Sequence, residues 1–139
     1  FAELADMVAQ RTDLASVLIA EPDEQFYLEK MARFMKTPAL ELPPLTLGQT
    51  AAFLKRVTFM FCNDGGIYHL SVATRTPTLG FFGSVETHAW SAQGYVPTHF
   101  HLKNPEYKLE LDRHFGFTPD DALQRFKEIA PKFDINVRD

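Results

Sequence analysis

Residues 57–83 constrain the fold of this chain more than any other stretch. An apolar run, Val57 to Cys62, reads as a buried strand. It stops at Asn63-Asp64-Gly65-Gly66, and Ile67 to Ala73 then read as a helix. A second apolar run, Thr78 to Phe82, ends in Gly83. Strand, glycine turn, helix and strand in that order make a βαβ unit, with its polar residues at the carboxyl end of the first strand. In open α/β sheets, ligands bind at that edge. Two glycines let a ligand approach the backbone closely. The helix that follows offers free N–H groups and a positive dipole end to an anion. A carboxylate just before the turn suits sugar hydroxyls. The pattern points to a nucleotide or phosphorylated ligand.

Alternation continues on the upstream side. Phe1, Leu4, Ala5, Val8 and Ala9 recur at helical spacing and predict an amphipathic helix over 1–11. Strands are expected at 17–20 and 39–42. Between them, Pro22 with Asp23 and Glu24 opens a helix that runs to about Lys36. Thr46 reads as a helix N-cap, with Gln49 as its capping-box partner. That helix is expected to reach about Lys55. Strands alternating with helices argue a parallel sheet with helices on both faces. A parallel sheet that opens on a helix implies a further strand before Phe1. The absence of an initial Met fits a piece of a longer protein. Residues 84–117 read as irregular and aromatic-rich, with Trp90, Tyr95, Phe100 and Tyr107. Thr118-Pro119-Asp120-Asp121 starts a last helix through Leu123, Phe126 and Ile129.

Composition narrows the function classes. The 139 residues suit one domain with a real core. Net charge is −4 and no Lys/Arg run occurs, which argues against a nucleic-acid surface. No apolar run is long enough to cross a bilayer, and no signal peptide is evident. The single Cys62 cannot form an internal disulfide, which points to a reducing compartment. It lies in an apolar strand with no adjacent base, so a nucleophilic role is not expected. His99 and His101 would share a face of a strand, but with no third ligand they make a poor metal site.

The ordered motifs resemble those of glycosyltransferase family 9, the ADP-heptose:lipopolysaccharide heptosyltransferases, in their C-terminal, donor-binding half. The family's strand ends in Asn/Val-Asp-Ser/Thr-Gly, followed by two residues and a His. Here it stands as Asn63-Asp64-Gly65-Gly66-Ile67-Tyr68-His69. A small-residue helix (Ser71-Val72-Ala73), Thr76-Pro77, the strand Thr78 to Phe82 and then Phe82-Gly83-Ser84-Val85 follow in the family's order. Trp90-Ser91, the opening helix Phe1-Ala2-Glu3-Leu4-Ala5-Asp6 and Leu45-Thr46-Leu47 also fit. The resemblance covers about residues 1–91. Three departures stand out. Gly65 replaces a Ser or Thr, Ser84-Val85-Glu86 replaces a Pro-Thr-Asp type of turn, and the segment after Trp90 has no evident counterpart.

The resemblance implies a Rossmann-like domain, 1–139, forming one half of a GT-B fold, with 92–139 as an irregular segment plus terminal helix. It implies an inverting, metal-independent sugar transfer with no cofactor, the nucleotide sugar being a substrate. On this reading the N–H groups of Gly65, Gly66 and Ile67 face the diphosphate. Asp64 contacts sugar hydroxyls, and His69 reaches the phosphate or the sugar. Asp23 or Glu24 takes the adenosine ribose, and Leu45 covers the base. Each has a plainer alternative: a tight turn for the glycines, a helix cap for Asp64, a packed residue for His69. Asp23 and Glu24 could serve only the helix dipole, and Leu45 the core. The family's general base is an acidic residue of the other half, so no catalytic residue is expected here and the chain alone should be inactive. The acceptor, lipid-linked or an oligosaccharide, would be held by that other half. The implied location is the cytoplasm or the cytoplasmic face of the inner membrane, in lipopolysaccharide or related glycan synthesis. Two other readings stay open. One is a nicotinamide-dependent oxidoreductase, although its Gly-x-Gly-x-x-Gly fingerprint is absent. The other is a non-catalytic or divergent nucleotide-binding module.

Overall fold

The computed structural model describes residues 1–83, 87–103 and 117–139. The chain forms two compact units, Gln49–Thr118 and Phe1–Gly48 with Pro119–Asp139. Both are α/β with parallel strands, as the alternating pattern predicts.

The unit of residues 49–118 carries a parallel sheet in the order β3-β4-β5, where β3 is Met60–Asn63, β4 Thr78–Phe82 and β5 His99–Lys103. The helix α4, Gly66–Thr74, connects β3 to β4, and the short α5 is Thr87–Trp90. β4 lies in the middle and is buried along its whole length, as a parallel strand covered on both faces must be. One face presents Met60, Cys62, Thr78, Gly80 and Phe82. There Tyr68 of α4 and Leu54 of α3, Leu47–Leu54, complete the core. The opposite face stacks Phe61 on Phe81, with Phe117 against Phe81. Tyr68 is fully buried, and its ring lies where β4 has no side chain: a Cβ added at Gly80 would sit 2.6 Å from Tyr68 Cε2. Thr76 closes this layer from below. Its hydroxyl donates to the Leu54 carbonyl at 2.8 Å, and Arg75 takes a left-handed conformation at the end of α4.

The other unit pairs β1, Ser16–Leu18, with β2, Ala39–Glu41, in parallel. α1, Ala2–Arg11, packs against α2, Gln25–Phe34, and against α6, Pro119–Ile129. Asp6 is buried on α1. It accepts the N–H groups of Lys36 (2.8 Å) and Thr37 (2.8 Å) and the Thr37 hydroxyl. Burial alone would raise the carboxyl pKa, but these donors more than offset it and hold it below the ordinary value. The tail returns to α1. Arg138 N–H donates to the Arg11 carbonyl at 2.8 Å, and its guanidinium reaches the Thr12 carbonyl and Asp13.

Several expectations are corrected. The four expected strands exist, but in two sheets rather than one. The strand expected from Val57 begins at Met60, because Arg56 and Val57 still donate to Phe53 and Leu54 in the turn that ends α3. Pro22–Glu24 form a 3-10 turn before α2 proper. The segment expected to be irregular contains α5 and β5. The strand on which His99 and His101 would share a face is β5, although the segment around it read as irregular. The Ser84-Val85-Glu86 turn and Tyr107 lie outside the described residues.

Candidate functional site

β3 carries Asn63 and Asp64 to the carboxyl edge of the three-stranded sheet. The Asp64 N–H donates to the Phe81 carbonyl at 2.9 Å, so the ladder fixes the backbone up to the residue before the glycines. Gly65 takes the N-cap position with a positive φ of 159°, which L side chains rarely adopt, and α4 starts at Gly66. The Gly65 carbonyl receives the N–H groups of Tyr68 (3.1 Å) and His69 (3.3 Å). No side chain caps this helix, so Asp64 does not act as the cap. The N–H groups of Gly66 and Ile67 sit in the first turn, where a helix has no carbonyl of its own to receive them. The macrodipole adds partial positive charge at the same place.

Both glycines are exposed, and a Cβ built on either meets no heavy atom within 4 Å. No neighbour in the described chain therefore demands a small residue at this turn. Asp64 is half-buried beside it. His69 is exposed rather than packed in the core, and its ring lies 6.2 Å from that of Trp90. The turn thus brings Asp64, Gly65, Gly66, Ile67 and His69 together. Asp23, Glu24 and Leu45 belong to the other unit. The two acids are exposed in the 3-10 turn before α2, and Leu45 is half-buried in the segment before α3.

The inner side of α4 is a closed polar network. Ser71 Oγ donates to the Tyr68 carbonyl at 2.7 Å, which leaves it to accept from His99 Nε2 at 3.1 Å. His99 Nδ1 then accepts the Thr98 hydroxyl at 2.9 Å. This arrangement fits a neutral ring, and burial pulls the His99 pKa below its ordinary value. Tyr68 Oη accepts the Ala92 N–H at 2.9 Å. Ser91 Oγ lies 2.8 Å from His101 Nδ1 and accepts the Gln93 N–H at 3.2 Å. Sequence reasoning named Tyr68 and Ser91 only as members of motifs and gave neither a role. Gly80, alone inside an apolar strand, was the available signal, since such a glycine marks a close approach.

Other chemistry is sparse. Burial, with the Asp64 charge adding to it, pushes the Cys62 thiol up to about 12, far from a reactive thiolate. Among the described residues, no three His, Cys, Asp or Glu side chains group as a metal site, and no helix is long and apolar enough to cross a membrane. A cleft of about 500 Å³ lies at the tail of the other unit. Its lining includes Lys127, paired with Asp139 at 3.5 Å, and Asp134.

A parallel α/β unit with an open glycine turn at the carboxyl edge of a strand is of the class that holds ligands at that edge. The profile of glycosyltransferase family 9 (heptosyltransferase) matches residues 1–113, and the chain belongs to this family. The match runs past Trp90, the expected limit of the resemblance, through β5. No curated protein and no solved structure matches the chain. Family membership makes sugar transfer the class of activity and supports a Rossmann-like half of a GT-B fold.

Proposed function

We propose that this chain is the donor-binding half of an inverting, metal-independent glycosyltransferase. Its donor is an ADP-activated heptose or a close relative, and the pathway is lipopolysaccharide or related glycan synthesis at the cytoplasmic side. The observation that carries this reading is the uncapped, exposed N-terminus of α4 at Gly65-Gly66, with open space where side chains would stand. The diphosphate sits there, on the N–H groups of Gly66 and Ile67. Helix charge and N–H donors then stabilise the leaving diphosphate in place of a metal. Asp64 holds sugar hydroxyls, and His69 donates to the phosphate or the sugar. Asp23 or Glu24 takes the ribose and Leu45 the base. The general base and the acceptor, lipid-linked or an oligosaccharide, belong to a companion half. The 139 residues alone bind donor and do not transfer it.

Calorimetry with ADP tests the site. Gly66→Val places a branched side chain where the phosphate must approach. We expect ADP binding to be lost and the circular dichroism spectrum to be kept. Unchanged ADP binding would overturn the assignment. In the longer parent, Asp64→Ala and His69→Ala should each lower turnover, and transfer should proceed in the presence of a chelator. A second reading, a non-catalytic module, is favoured by Gly65, which lacks the hydroxyl of the family's Ser or Thr. It expects ADP binding without transfer by the parent.

A further inference from the structure

Trp90 ends α5, is 57% exposed, and is the one tryptophan of the chain. An exposed indole normally gains from burial. This one stays out in solvent on a backbone fixed from several sides. The next residue, Ser91, is buried, and its N–H donates to the Thr87 carbonyl at 2.8 Å. Its hydroxyl lies 2.8 Å from His101 Nδ1. The Ala92 N–H is held by the Tyr68 hydroxyl at 2.9 Å. Tyr68 itself is locked against Gly80, and it belongs to the same helix whose first turn forms the open site. The indole is therefore placed by the element that presents the glycine turn. It lies edge-on to His69, with ring centroids 6.2 Å apart and planes at 62°.

We propose that Trp90 is a binding residue for the sugar of the donor, its indole face receiving the C–H face of a pyranose ring. Those C–H groups carry partial positive charge and meet the negative face of the aromatic quadrupole. The inference rests on the donor reading above, and it adds the group that recognises the sugar apart from the diphosphate. The Tyr68 hydroxyl is a positioning residue, acting through Ala92 and Ser91.

The single indole makes the test direct, because tryptophan fluorescence of this chain reports Trp90 alone. ADP-heptose and ADP are each titrated into the wild-type chain and into Trp90→Ala and Trp90→Phe. ADP-heptose should change the emission of the wild-type chain, and ADP should change it much less. Trp90→Ala should weaken ADP-heptose binding in calorimetry about tenfold and leave ADP within about twofold, with Trp90→Phe in between. Tyr68→Phe should shift the emission of the unliganded chain and weaken ADP-heptose, and not ADP, by a smaller factor. Equal loss of both ligands in Trp90→Ala, or loss of neither, would overturn the sugar role while the donor reading stands. Failure of the wild-type chain to bind either ligand would overturn both.

Discussion

Gly65-Gly66 and Gly80 lie in one βαβ unit and hold opposite amounts of space. Beside the first pair a Cβ would meet nothing. At Gly80 it would strike Tyr68 at 2.6 and 2.7 Å and Phe82 at 2.9 Å. The residue type is the same and the reasons differ. Gly80 is small because the protein fills its side-chain space. Gly66 is small at a place the described protein leaves empty, and Gly65 beside it also has a positive φ of 159° that L side chains rarely adopt. Occupied space explains a glycine by packing, and empty space at an uncapped helix end is what the proposed phosphate site uses.

The sharpest way to break this contrast is at Tyr68. Tyr68→Ala removes a fully buried ring and should cost about 4 kcal/mol in urea unfolding. Gly80→Ala should cost about 2 kcal/mol by overpacking. In the double variant the new methyl enters the space the ring has left, so the losses should fall clearly short of their sum. Strict additivity would mean that the Tyr68 ring is not what keeps position 80 small.

The closed side of α4 should also show in the pH dependence of stability. Burial lowers the His99 pKa, so the unfolded chain takes up a proton at a higher pH than the folded one. Stability from this group is full above 6.5, its ordinary value, and declines as pH falls toward the folded pKa. Thermal melts from pH 7.5 down to 5.5 should show that decline, and His99→Gln should flatten it. An unchanged slope in the variant would assign the decline to other groups.

The smallest effect is expected at the open turn. Gly66→Ala should change stability by no more than about 0.5 kcal/mol, because the methyl meets no neighbour and alanine suits a helix. A loss comparable to that of Gly80→Ala would show that the turn is packed after all.

The 60–82 segment was legible from sequence because its signals are local. An apolar run, a Gly-Gly break and a second apolar run fall within one βαβ unit, and parallel pairing follows from the connection. The turn residues Asp64 to His69 were legible for the same reason. What stayed hidden depends on distant partners. His99 is buried in β5 only because Ser71 and Thr98 supply its hydrogen bonds. Asp6 lies outside the apolar positions that mark α1, and only the backbone of residues 36–37 accounts for its burial. The division into two sheets was hidden too, since β1 and β2 are three residues each and largely uncovered, a weak imprint for any pattern.

The tie between Arg138 and Arg11 bears on how the protein is made. Residues 49–118 leave the ribosome with every strand of their own sheet already present. α1, by contrast, must wait for α6 to be synthesised before its unit is complete. α1 thus precedes residues 49–118 in the chain and is packed after them. Until α6 emerges, the apolar stripe of α1 is a surface that chaperones would have to shield.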